Sequence, residues 1–203
     1  MTVDRIEPLD KRRCKVFLDG DFAFVLYKGE LKKFYIEEGS EMTDEIYQEI
    51  LKVICKRVRE RALYILKFSN RTEAELRIKL RMAFYPEAAI DEAVRFLREY
   101  HYLDDDRYAK NYIEVYGKRK SRAELMNALL KKGVEKSCIV QLLEEQPPDE
   151  EQQIRQWLEK RRYKDDARPE EKRKTIAFLM RKGFSYALVR RVIGDIDEDE
   201  ITF

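Results

Sequence analysis

Hydrophobic positions change their spacing once along this chain. Up to about residue 42 they come in short aromatic and β-branched runs. Arg13-Cys-Lys-Val-Phe-Leu18 and Asp21-Phe-Ala-Phe-Val-Leu-Tyr27 flank Asp19-Gly20. An Asp-Gly pair between such runs predicts a tight hairpin, because glycine accepts the positive φ that the turn demands. Leu31–Ile36 is expected to add a third short strand or a helical turn, and Gly39-Ser40 leads out of this small β element. From Thr43 onward the apolar residues recur at helical spacing. Ile46, Ile50, Val53, Ile54, Val58, Ala62, Leu63 and Leu66 make one stripe, which predicts a long helix capped by Thr43 and running to about Phe68.

The helical part then repeats. Thr72-Glu-Ala-Glu-Leu76 returns as Ser121-Arg-Ala-Glu-Leu125, and Leu76, Leu80, Ile90 and Val94 map onto Leu125, Leu129, Ile139 and Leu143 at a constant offset of 49 residues. A degenerate third copy follows at an offset of 50, where Leu179, Gly183, Val189 and Ile193 answer Leu129, Gly133, Ile139 and Leu143. Periods of this size mark stacked supersecondary units. Thr72 with Glu75, and Ser121 with Glu124, have the spacing of capping boxes, so the two helices start at equivalent points. Pro86 is expected in the first turn of another helix. One of Asp104, Asp105 and Asp106 is expected to cap the helix carrying Tyr108, Ala109, Tyr112 and Ile113. Gly133 and Gly183 sit where helix C-termini need left-handed geometry. Gln146-Pro-Pro-Asp149 breaks the chain before the third unit, and Arg168-Pro169 restarts its middle helix.

The expected fold is mainly α: three tandem three-helix repeats forming a curved, elongated array, preceded by a small N-terminal β hairpin. Its divisions are 1–42 for the hairpin element, then 43–102, 103–146 and 147–203 for the repeats, the last with an acidic tail. Such an array favours a binding surface over a catalytic pocket.

Net charge is only +2 over 203 residues, which alone does not announce a nucleic-acid binder. Its distribution does more. Residues 52–134 carry 20 Lys/Arg against 12 Asp/Glu, whereas residues 1–51 carry 8 against 12 and residues 135–203 carry 14 against 16. Local positive surface governs phosphate attraction. Cys14, Cys55 and Cys138 are few and far apart, which argues against a disulfide framework or structural zinc and fits a reducing compartment. With neither a signal-peptide stretch at the start nor a bilayer-spanning segment, a soluble cytoplasmic protein is expected, without membrane contact.

The sequence has no GxxxxGK[ST] and no GxGxxG, so a nucleotide-hydrolysing site is not expected. His101 is the single histidine; its expected role is packing or an exposed turn. Asp104, Asp105 and Asp106 lack the ligand spacing of a calcium loop and suit helix capping better. The acidic run from Gly194 to Glu200 reads as a solvated terminus, with shielding of the basic middle as the functional alternative. Neither catalytic residues, nor metal ligands, nor a cofactor are expected. The candidate binding residues are two basic clusters. Arg71, Arg77, Lys79 and Arg81 lie in or beside the first capping-box helix. Lys118, Arg119, Lys120, Arg122, Lys131 and Lys132 surround the second, with Tyr112 and Tyr116 just ahead. Register would place the clusters as two patches along one edge. The bland alternative is an ordinary charged helix surface with i,i+4 pairs. Phe96, Tyr108 and Phe178, at helical spacing, are expected in the core.

Arg71-Thr-Glu-Ala-Glu-Leu-Arg-Ile-Lys-Leu80, the stretch Ile90–Leu97 and Tyr102-Leu-Asp-Asp-Asp-Arg-Tyr-Ala109 resemble the signature core of RecX, a family of bacterial regulators of the RecA recombinase. Phe178-Leu-Met-Arg-Lys-Gly-Phe184 with Val189–Ile193 resembles its C-terminal repeat, so the likeness spans roughly 59–193. Leu103, Asp104, Asp105 and Arg107 match the family pattern, with a structural role expected. Ala83-Phe84-Tyr85 departs from the usual Lys-Gly-aromatic step, which bears on that helix's C-cap. The resemblance implies a non-enzymatic regulator in DNA recombination, repair and the SOS response. It would bind RecA and its filament on single-stranded DNA, inhibiting recombinase, ATPase and coprotease activity. Apart from the resemblance, duplex DNA is a further expected partner and a monomer the expected state. Two other readings stay open: a stand-alone helical DNA-binding module, marked by sequence-selective duplex binding without RecA, and a protein-only helical scaffold, marked by no salt-dependent nucleic-acid binding.

Overall fold

The computed structural model describes residues 1–164 and 167–194. The chain divides into two compact units, Met1–Asp104 and Asp105–Phe203. Unit one opens with a three-stranded antiparallel sheet in the order β1 (Val3–Pro8), β2 (Arg13–Leu18), β3 (Asp21–Tyr27). The expected hairpin is β2–β3, closed at Leu18↔Asp21 with Asp19 and Gly20 both at positive φ (48° and 92°). Two left-handed residues in a two-residue loop match the right-handed twist of the strands.

Of the two forms expected for Leu31–Ile36, a third short strand or a helical turn, the helical one is found. Leu31–Ile36 is mostly helix α1 (Lys28–Lys33) and the turn after it, while β1 supplies the extra strand. This edge strand, Val-Asp-Arg-Ile-Glu-Pro, buries only Val3 fully, so it carries almost no apolar alternation to read. A charged edge strand ending in proline is what keeps an open sheet edge from pairing with other chains.

Helix α2 (Asp44–Phe68) starts where Thr43 Oγ1 accepts the amide N–H of Ile46 (3.4 Å). Ile50, Ile54, Val58 and Ala62 are its buried stripe, four residues apart. It packs on α3 (Glu73–Met82) and α4 (Glu87–Glu99). Sheet and helices share one core: Val3, Val16, Phe24 and Leu26 join Ile50, Ile54, Leu76, Leu80, Ile90 and Leu97. Pro86 does not enter the first turn of α4. It is the cap, with extended ψ of 148°.

Unit two contains α5 (Asp105–Tyr116), α6 (Arg122–Lys131), α7 (Lys136–Glu145), α8 (Glu150–Lys160), α9 (Pro169–Arg181) and α10 (Tyr186–Ile193). It holds two apolar clusters, one per repeat. Ala109, Ile113, Leu125, Leu129, Val134, Ile139 and Leu143 form one; Ile154, Ile176, Leu179, Phe184, Val189 and Ile193 form the other. The repeat register is therefore a core register, since every Leu, Ile and Val named in the offset series is buried.

The capping boxes form as expected. Thr72 Oγ1 accepts from the Glu75 amide (3.2 Å) while Glu75 Oε2 accepts from the Thr72 amide (3.4 Å). Ser121 and Glu124 reproduce this at 3.2 and 3.3 Å. The third repeat has no such box. Its middle helix starts with Pro169 in the first turn after Arg168. Helix ends repeat as well: Phe84, Gly133 and Gly183 occupy one repeat position and take φ of 63°, 82° and 89°. Each of the next residues returns its amide to the fifth residue back: Tyr85 to Leu80, Val134 to Leu129 and Phe184 to Leu179. Left-handed geometry costs a non-glycine residue about 1 kcal/mol. Phe84 has compensation from the sheet, with Phe22 against its ring edge and Lys15 Nζ 4.6 Å from its centroid. The C-cap without glycine thus keeps the same geometry. The acidic tail beyond Gly194 lies outside the described residues.

Candidate nucleic-acid interface

The first basic cluster is largely neutralised by its own neighbours. Arg77 donates from Nε to Glu73 (2.8 Å) and from Nη1 to Asp91 (2.6 Å). Arg98 pairs with Glu73 as well. Partial burial pulls the Arg77 guanidinium down, but the hydrogen bonds to Glu73 and Asp91 outweigh it and hold the group above its ordinary range. Arg81 grips Glu87 with two hydrogen bonds (2.6 and 3.1 Å), and this guanidinium draws the Glu87 carboxyl below its ordinary value. Arg71 is half-buried, with its Nε enclosed and without a hydrogen-bond partner. Only Lys79 of the expected four is exposed with no ion pair among the described residues. Charge there serves mainly to clip α3 to α4.

The second cluster is different. α5 ends at Tyr116, and Gly117-Lys-Arg-Lys120 carries the chain to the Ser121 cap of α6. On α5, four-residue spacing stacks Tyr108, Tyr112 and Tyr116 into a ladder, with centroids 6.4 and 4.4 Å apart. Lys120 Nζ lies 5.9 Å from the Tyr116 centroid, and Lys132 Nζ 5.4 and 6.0 Å from those of Tyr108 and Tyr112. Lysine over an aromatic face keeps its charge, since a ring quadrupole attracts the cation without neutralising it. Lys118, Arg119 and Lys131 are exposed, with no carboxylate pair among the described residues. Arg122 is the exception: its Nη1 donates to the Leu143 carbonyl near the end of α7 (2.7 Å), so its role is helix capping.

A joint between the second and third repeats brings further residues to this cluster. Ser121 Oγ donates to the Lys182 carbonyl (2.7 Å), and the Arg122 amide donates to Glu150 (2.7 Å). At Gly183 the fit is tight. A Cβ there would stand 2.6 Å from Ser121 Oγ and 3.0 Å from Ala123 Cβ. The result is a cavity of about 380 Å³ lined by Lys118, Arg119, Gln153, Gln156, Trp157 and Lys160. Trp157 also meets Phe178 edge-on (centroids 5.4 Å), with Lys160 and Lys182 at 5.2 and 5.0 Å from its ring and Arg161 at 4.5 Å from that of Phe178.

Gln153, Gln156, Trp157 and Lys160 were not foreseen. The available signal was the single tryptophan followed three residues later by Lys160-Arg161, which sets ring and cation on one helical face. Phe96, Tyr108 and Phe178, expected in the core, are half-buried: each packs on its cluster while an Arg or Lys covers the ring. His101 sits in an exposed turn at φ 56° after α4. Asp105 begins α5, with Asp104 just ahead of it, and Asp106 takes the Cys138 thiol as its neighbour. Burial first, then the Asp106 carboxylate, pushes that thiol up to about 12. Among the described residues no His, Cys, Asp and Glu group could hold a metal ion, and no helix is long and apolar enough to cross a membrane.

Comparison with known proteins places this geometry among relatives. The first three-helix domain of RecX matches residues 59–97, and the third matches residues 149–193. Regulatory protein RecX of Caldanaerobacter subterraneus is 36% identical over 171 residues, covering 80% of this chain and 85% of that protein. The protein of the same description from Clostridium botulinum (strain Eklund 17B / Type B) is 28% identical over 200 residues, covering 94% and 92%. A crystal structure of regulatory protein RecX superposes with a TM-score of 0.66 at 25% identity, covering 94% of this chain and 98% of that one.

Proposed function

The chain belongs to the RecX family of regulatory proteins, and from that premise we propose that it is a non-enzymatic modulator of RecA. In this reading it engages RecA and its filament on single-stranded DNA and mostly inhibits strand exchange, ATP hydrolysis and coprotease activity. Tandem three-helix repeats are binding scaffolds, and no chemistry beyond contact is needed to oppose subunit movement. The observation that carries the DNA part is the state of the second cluster. Lys118, Arg119 and Lys160 line one cavity with Trp157, and no carboxylate pairs with them among the described residues. Cations left unpaired by the protein are available to phosphates, and each phosphate contact releases counterions.

The test is RecA ATPase on single-stranded DNA with this protein titrated in. A concentration-dependent fall in hydrolysis that steepens at low salt is expected. Unchanged hydrolysis across the titration, with the protein folded by circular dichroism, would sink the regulatory reading.

A further inference from the structure

We propose that the cavity between the Gly117–Lys120 turn and α8 is a pocket for one nucleotide, taking a single base out of a strand together with its phosphate. This rests on the DNA-contact reading above and gives it a specific site. The carrying observation is Gln153. Its side chain is 4% exposed, and its Nε2 donates to two backbone carbonyls, Gly117 at 2.7 Å and Lys120 at 3.2 Å. Those two contacts fix which way the amide faces. Gln153 lines the cavity, and its Oε1 is enclosed with no hydrogen-bond partner. A buried amide oxygen without a donor is costly, and in native proteins such an atom calls for an explanation.

The lining specifies what would satisfy it. Gln153 Oε1 asks for an N–H donor. Lys118, Arg119 and Lys160 ask for negative charge, and Trp157 offers an aromatic surface. A nucleotide brings all three together: an imino or amino donor on the base edge, a π-face and a phosphate. Inorganic phosphate has neither donor edge nor face. The cavity volume of about 380 Å³ falls within the ~300–1,000 Å³ range of small-ligand sites. Sequence tolerance is expected, because every base has a π-face and at least one N–H donor. The same chemistry could come from a strand or from a free nucleotide, so the experiment includes both.

Trp157 is the single tryptophan of the chain, so its fluorescence reports on the pocket directly. The full-length protein is titrated with an oligothymidylate of about 15 nucleotides, within the span of single-strand binding sites. Matched strands carry N3-methylthymine, which lacks the N–H donor, or abasic sugars; thymidine monophosphate is the free arm. Oligothymidylate should quench Trp157 and bind at least tenfold tighter than the abasic strand. N3-methylation should weaken it several-fold without changing the salt dependence. Because the ligands vary and the protein does not, misfolding cannot mimic these outcomes. As a second measurement, W157A followed by anisotropy of a labelled strand should lose about tenfold, and W157F much less. Monophosphate binding as tightly as the strand would keep the pocket and assign it to free nucleotides. Equal affinity for oligothymidylate and abasic strands, without quenching, would overturn the pocket while leaving charge-driven DNA contact intact. No binding of any strand would overturn both.

Discussion

Two cation-rich stretches end in different electrostatic states. In the first repeat, Arg77 and Arg81 are consumed by Glu73, Asp91 and Glu87. In the second, Lys118 and Arg119 stay unpaired among the described residues, and Lys120 and Lys132 lie over tyrosines. In the first repeat the carboxylates stand within reach of the guanidinium groups. Glu73 lies one turn before Arg77 on α3, and Asp91 and Glu87 project from α4. The difference teaches that counting cations does not locate a positive surface; the position of carboxylates on the facing helix does. The ion pairs of the first repeat are partly exposed, so their contribution to stability is modest. Their effect on the surface field is not modest, because each one removes a charge.

The largest way to break this comparison is geometric. Gly183→Val keeps every cation but drives a side chain into Ser121 Oγ and Ala123 at a left-handed φ of 89°. A loss of about 3 kcal/mol is expected, from strain plus overpacking. Thermal unfolding would register it as a drop in Tm, and single-strand affinity should fall with it as the joint opens. The matching position in the first repeat already carries Phe84, so Phe84→Gly should stay within about 1 kcal/mol of the parent, relieving strain while losing ring contacts.

Next in size comes charge reversal. Lys118→Glu with Arg119→Glu should weaken single-stranded DNA binding at least tenfold, about 1.4 kcal/mol or more, and flatten its salt dependence. Arg77→Glu with Arg81→Glu should change it less than about twofold, because both cations are already paired with carboxylates and offer little to a phosphate. Equal losses in the two double mutants, measured by anisotropy titration, would erase the distinction between the clusters. Smaller again is Arg77→Gln, expected to cost about 1 kcal/mol of stability through the lost hydrogen bonds to Glu73 and Asp91, with DNA affinity unchanged.

The smallest effect concerns Cys138. With its thiol pushed up to about 12, it is neutral throughout the physiological range, the thiolate gaining weight only above that value. Iodoacetamide should therefore label Cys138 far more slowly at pH 8 than the same cysteine in urea-unfolded protein, since only the thiolate reacts. Rapid labelling of the folded chain would show that burial and the Asp106 contact do not hold the thiol up.

Much of this fold was legible in the chain because its cues are local. The Thr72 and Ser121 boxes, the Asp19-Gly20 turn and the buried series from Leu76 to Ile193 each depend on neighbours a few residues away. β1 was not legible, since an edge strand with one buried residue writes no alternation. The site was legible in part. Lys118, Arg119, Lys120 and Lys132 were named from sequence and stand on cation-rich surface. Arg77, Arg81 and Arg122 were named too, but partners 6 to 21 residues away decide their role. Gln153 and Trp157 could not be joined to Lys118 from sequence, because the Ser121–Lys182 joint that brings them together spans 61 residues.

The most direct test of the regulatory account is RecA ATPase on single-stranded DNA, measured with the parent protein and the two double charge reversals side by side. The parent and Arg77→Glu with Arg81→Glu should inhibit alike, while Lys118→Glu with Arg119→Glu should need at least about tenfold more protein, as loss of unpaired cations reduces counterion release. Inhibition that is absent with the parent, or identical across all three proteins, would contradict it.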